Sequence, residues 1–135
     1  MEYGNTMLAV DTNVVVRVVT NDDPAQSPRA IALFEQHSIF LSKTVLLETE
    51  WVLRFAYQLS RETIVSTLRK LIGLPQAEVE HIGVVVMALD WHEQGMDFAD
   101  ALHLAGSAQA MRFATFDEKL AKRARRLQTK EILVV

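Results

Sequence analysis

With 135 residues the chain is the size of one domain and long enough to bury a core of its own. Its hydrophobic fraction of 50% and mean hydropathy of +0.11 are rich enough that some apolar surface is expected to be covered by a partner. A net charge of −3 argues against a broad, non-specific nucleic-acid groove, and the absence of cysteine excludes disulfides, thiol nucleophiles and thiolate metal sites, which fits a reducing cytoplasm.

No signal-peptide pattern opens the sequence; residues 1–6 are expected to be a loose leader, with a single domain at 7–135. The apolar run Leu8-Ala9-Val10 stops on Asp11-Thr12-Asn13, the pattern of a buried strand delivering a carboxylate to its C-terminal end. Capping of the following short helix, Asn13 to Val19, is the simpler alternative role for Asp11. After the breaker Asn21-Asp22-Asp23-Pro24, a helix is expected to start between Pro24 and Pro28, with Ser27 as a possible cap. Ile39-Phe40-Leu41 reads as a strand. Thr44 or its neighbour then caps a helix to about Gln58, and Ser60 caps another to Ile72. Glu78 to Ile82 alternates as a strand, and a helix from about Gly83 ends at Gly95. The run from Ile82 to Leu89 is too short to cross a bilayer. Asp97 is placed to cap a helix from Phe98 to Met111. Residues 112–116 form a strand ending on Asp117, residues 117–127 a helix, and Ile132 to Val134 a last strand. This alternation predicts an α/β protein, a three-layer α/β/α sandwich around a mainly parallel sheet of four or five strands.

Four acids stand out. Asp11 and Asp117 end apolar runs, and parallel strands would present both at one sheet edge, where ligands bind in α/β folds. Glu48 has Thr44, Val45, Trp51 and Val52 as its helical neighbours, an apolar setting that predicts burial and the need for a cation or donor. Glu50, with Arg54 four residues on, reads instead as half of a surface ion pair. Asp100 lies in the first turn of the helix that Asp97 starts, amid Ala101, Leu102, Leu104 and Ala105. Gathered together, Asp11, Glu48, Asp100 and Asp117 would raise one another's pKa unless a cation joined them. Hard oxygen donors suit Mg²⁺ or Mn²⁺, one or two ions, and hence metal-dependent phosphoryl chemistry. Six of the 14 basic residues, Lys119, Lys122, Arg123, Arg125, Arg126 and Lys130, crowd the segment after Asp117, as a solvated helix face or a phosphate-contacting patch. The histidines have no ligand spacing: His37, His81 and His92 are expected at the surface, with His103 one turn from Asp100.

The segments Val10-Asp11-Thr12-Asn13, Leu46-Leu47-Glu48 with Trp51-Val52-Leu53, Asp97-Phe98-Ala99-Asp100-Ala101-Leu102 and Ala114-Thr115-Phe116-Asp117 resemble the PIN domain family. The likeness is nearest to VapC toxins of bacterial VapBC toxin–antitoxin pairs. It implies that Asp11, Glu48, Asp100 and Asp117 are the acidic metal-binding quartet. Asp11 and Asp100 would hold the metal, with Glu48 and Asp117 acting through water or a second ion, and Asn13, Thr115 and Asp97 in support. It also implies a cytoplasmic endoribonuclease that cuts structured RNA such as tRNA or rRNA with metal-activated water, leaving 5′-phosphate and 3′-hydroxyl ends. Lys119, Lys122, Arg123 and Arg126 would contact RNA phosphates. A VapB-like antitoxin and a homodimer are implied partners, with no membrane; the apolar faces of helices 44–58 and 61–72 are the candidate contacts, although Trp51, Phe55 and Tyr57 could equally be core. Two rivals stand beside this reading. A haloacid-dehalogenase-like phosphatase would want a second Asp where Asn13 stands, and a metal-stabilised interaction module would use the acids only to hold an ion.

Overall fold

The computed structural model describes residues 7–135, so the expected leader at 1–6 lies outside the described residues. These fall into two compact units, one ending at His81 and one spanning Ile82–Val135. The first contains β1 (Met7–Ala9), α1 (Thr12–Thr20), α2 (Gln26–Gln36), β2 (Ser38–Leu41), α3 (Lys43–Phe55), α4 (Arg61–Ile72) and β3 (Ala77–Val79). The second contains α5 (Ile82–Glu93), α6 (Phe98–Ala105), β4 (Arg112–Thr115), α7 (Glu118–Leu127) and β5 (Glu131–Val134). The protein is α/β, with seven helices among the described residues and every strand pairing parallel, consistent with the fold the sequence predicts. Its strands form a three-stranded sheet, order β1-β2-β3, and a two-stranded sheet, β4-β5. Parallel neighbours need helical crossovers, which α1–α2, α3–α4 and α7 supply.

In the first unit β2 is the central strand, and its Ile39 and Leu41 are fully buried. Val15 and Val16 of α1, Phe34 of α2, Leu46 and Leu53 of α3 and Ile64, Val65 and Leu68 of α4 are buried too. The helix ends follow local polar chemistry. Asn21 takes a left-handed conformation (φ 46°) and donates to Arg17 O, a stop that Asn tolerates better than most residues. The start of α2 is held by Asp23, whose Oδ1 accepts from Ala25 N (2.9 Å) and Gln26 N (2.7 Å). Ser27 is not the cap; it is buried inside α2 and its hydroxyl donates to Arg17 O at 2.8 Å. Ser42, not Thr44, caps α3 by accepting from Val45 N, while Ser60 caps α4 as expected.

In the second unit Val85, Ala88, Leu89 and His92 form the buried stripe of α5, and α6 buries Phe98, Ala101 and Leu104. His92 is 2% exposed, its Nδ1 2.7 Å from Met96 O and its ring against Phe98, so the expected surface position is corrected. The stripe at i, i+3, i+4 and i+7 carries it inward. The helix expected to reach Met111 ends at Ala105. A Cβ at Gly106 would sit 2.9 Å from Leu102 O, Ser107 Oγ donates to Leu104 O, and Lys130 Nζ donates to the carbonyls of Ser107 and Ala110. No described helix is long and apolar enough to cross a membrane.

Candidate functional site

Strand β1 ends two residues before Asp11, and the simpler role for this acid is present: Asp11 caps α1, its Oδ1 accepting from Val14 N at 3.3 Å. Asp11 itself is exposed at this helix N-terminus. Thr12, the first residue of α1, donates its hydroxyl to Glu48 Oε1 at 2.6 Å. Asp11 and Glu48, 37 positions apart in the chain, are therefore tied to the same end of α1 through Thr12. Glu48 is exposed, which corrects its expected burial, and its partner is a hydroxyl rather than a cation. Two residues on, Glu50 is the buried acid at 1% exposure, paired with Arg54 at 2.8 Å. The ion pair was legible from the i,i+4 spacing, but the expected surface position is corrected, since Glu50 is buried.

In the second unit Asp97 caps α6, Oδ2 accepting from Asp100 N at 3.2 Å. Asp117 caps α7, its Oδ1 accepting from Lys119 N (2.9 Å) and Leu120 N (3.1 Å), and Thr115 Oγ1 accepts from Asp117 N at 3.0 Å. Asp100 lies in the first turn of α6 and is partly buried. Burial is the largest influence pushing its carboxyl above the usual range, followed by the charges of Asp97 and Asp117; His103 opposes them weakly. Among the described residues no lysine or arginine contributes to holding this anion. Within this unit Asp97 and Asp117 are near enough for their charges to act on Asp100. A cation there would relieve the repulsion that raises the Asp100 pKa.

The chemistry of these donors, carboxylate and hydroxyl oxygens only, fits a hard divalent ion. Among the described residues no group of three or more His, Asp or Glu side chains is placed to hold a metal ion. Mg²⁺ does not require one, since it keeps several waters and takes one or two carboxylates.

The basic segment after Asp117 divides. Lys119, Lys122 and Arg125 border one groove, and Arg123 and Arg126 line another with Gln94. Arg123 donates to Gln94 O (3.0 Å), Arg125 to Ile132 O (2.9 Å) and Lys130 to the 107–110 loop, so half of the six cations hold backbone carbonyls. Lys119, Lys122 and Arg126 face solvent. On α3, Trp51 and Phe55 are each 55% exposed, their rings in tilted contact with centroids 4.8 Å apart, which removes the core alternative for this pair.

A PIN domain family model matches residues 8–126. The chain belongs to the PIN domain family. No curated protein and no solved structure matches this PIN-domain chain. The PIN domain is a nuclease fold whose members typically use Mg²⁺ or Mn²⁺, and this membership sets aside the haloacid-dehalogenase-like alternative. Two features escaped sequence reading: the Thr12 hydroxyl on Glu48, and Asp23 holding the chain just before α2. The second had a signal, an Asp followed by Pro one turn before a helix.

Proposed function

We propose that this PIN-domain protein is a divalent-metal-dependent endoribonuclease and the toxin of a type II, VapBC-like toxin–antitoxin pair. Its substrate is structured RNA such as tRNA or rRNA, in the cytoplasm, and its partners are a VapB-like antitoxin and a second copy of the chain. The single domain at 7–135 is part of the same proposal. The observation that carries the hydrolase reading is Asp100, partly buried and loaded by the charges of Asp97 and Asp117, which His103 opposes only weakly. Such an arrangement costs the folded state stability, and a bound cation would offset that cost.

In this reading Asp11 and Asp100 hold the ion, and Glu48 and Asp117 assist through water or a second ion. When bound, the ion supplies positive charge against the developing phosphoryl charge and lowers the pKa of a water nucleophile. The remaining steps belong to the chain. Thr12 fixes one oxygen of Glu48 and orients the other. The helix caps fix Asp11, Asp97 and Asp117 before substrate arrives, so little reorganisation is needed. Asn13 and Thr115 support the acids beside them, Thr115 by accepting the backbone N–H of Asp117. The exposed Lys119, Lys122 and Arg126, with Arg123 where its bond to Gln94 permits, hold flanking phosphates.

Purified protein with Mg²⁺ or Mn²⁺ is expected to cleave RNA, leaving 5′-phosphate ends, and EDTA is expected to stop it. Asp11→Asn and Asp100→Asn should each remove cleavage while the circular dichroism spectrum is retained. Cleavage that survives both substitutions, or metal binding without cleavage of any RNA, overturns the reading; the latter result supports the interaction-module alternative. In cells, expression of the chain alone should arrest growth and Asp100→Asn should not.

A further inference from the structure

Within the first unit, α1 and α2 border a groove of about 320 Å³, near the lower end of the range for small-ligand sites. Asn13, Val14 and Arg17 line it from α1, and Gln26, Arg29 and Ala30 from α2. No acid lines it. Its near end is Asn13, two residues from Asp11; Arg17 lies four residues further along α1, or about 6 Å at the helical rise.

The two arginines differ. Arg17 Nε donates to Gln26 Oε1 at 2.7 Å, and its charge is shared with Asp22 and Asp23, each 3.9 Å away. It is a strut between the helices. Arg29 is exposed and has no hydrogen bond or ion pair among the described residues. With Gln26 Oε1 taken, its amide nitrogen is left to donate, and the exposed Asn13 amide offers both donor and acceptor. Val14 and Ala30 supply an apolar floor. One uncompensated guanidinium, two amides and an apolar floor match the parts of a nucleotide: phosphate, base or ribose edges, and base face. An acidic peptide would use the cation but leave the amides idle.

We propose that the α1–α2 groove is a nucleotide subsite for a single-stranded segment of the RNA substrate, with Arg29 on a phosphate and Asn13 and Gln26 on base or ribose edges. This rests on the RNA-hydrolysis reading above and adds where the strand beside the cut is held.

The test uses the full chain and a short single-stranded RNA oligonucleotide, with filter binding in EDTA. Arg29→Ala should weaken binding about tenfold, the effect of one charge-assisted hydrogen bond. It should also flatten the slope of log affinity against log salt by about 0.7, one phosphate contact. Arg29→Glu should weaken binding further, and Arg29→Lys should recover most of it. With Mn²⁺ present, Arg29→Ala should raise KM and leave kcat, Mn²⁺ affinity and thermal unfolding unchanged. Equal affinity and slope in all variants overturns the subsite, as does Arg29-dependent binding of an oligoglutamate peptide without that of RNA. Wild-type protein that binds RNA through Arg29 yet never cuts it keeps the subsite and removes the nuclease. Cleavage with a KM indifferent to Arg29 does the reverse.

Discussion

At the start of α1, Glu48 meets a hydroxyl donor, Thr12, at 2.6 Å; at the start of α6, Asp100 meets two more carboxylates and partial burial. Both regions present acids at helix N-termini, where backbone N–H groups favour negative charge. In the first, the acid is held by a neutral partner and stays exposed to water. In the second, the caps fix Asp97 and Asp117 in positions that work against Asp100. The contrast separates an acid that is oriented by a donor from one that is loaded by burial and by its neighbours' charge.

Asp100→Asn tests that difference most strongly. Cleavage should fall by at least about 100-fold, the upper range for losing an outer-shell partner of a metal site. Metal-free protein should instead melt at a higher temperature, because the substitution removes repulsion. The pH dependence has a definite sign. A raised carboxyl pKa means the folded state holds the proton more tightly than the unfolded chain. The contribution to stability is therefore fully present below the ordinary Asp value and is lost as pH rises through the raised one. Denaturant midpoints of wild type and Asp100→Asn should converge at low pH, separate towards neutrality, and converge again when Mn²⁺ is added. A constant gap across that range would remove the loaded-acid account.

Glu48 and Glu50 sharpen the comparison within one helix. Glu50→Gln breaks the pair with Arg54 and should cost about 3 kcal/mol in urea unfolding, the lower end for a buried pair because Arg54 is partly exposed. Glu48→Gln should leave unfolding nearly unchanged and lower cleavage. If the stability loss follows Glu48 instead, the two roles have been exchanged.

Thr12→Val is the mildest change. It keeps the shape of the residue, removes the donor to Glu48, and should weaken Mn²⁺ binding about tenfold in calorimetry, with circular dichroism unaffected.

What the sequence made legible was local. The Ser60 and Asp97 caps, the i,i+4 pair of Glu50 and Arg54 and the alternation of strands and helices all depend on residues within a turn of one another. What it concealed was settled at a distance. The apolar pattern after Phe98 runs on through Ala108 and Met111, and α6 stops because Gly106 and the reach of Lys130 from 20 or more residues away hold the chain in a loop. Glu48 looked buried because Trp51 and Val52 look like core, yet Trp51 is over half exposed. Periodicity shows which residues share a face but not whether that face is covered. The motif acids were legible as acids at element ends; the unequal electrostatic settings of Glu48 and Asp100 were not, because they come from Thr12, Asp97 and Asp117 in the folded chain.

The exposed, tilted contact of Trp51 with Phe55 has an optical consequence. The chain has two tryptophans, one in each unit: Trp51, open to solvent and one helical turn from Glu48, and Trp91, partly covered in α5. Acrylamide reaches the first indole more readily, so quenching separates the emission of the two units without any label. An ion settling at Glu48 then changes the colour and lifetime of one lamp while the other serves as its reference.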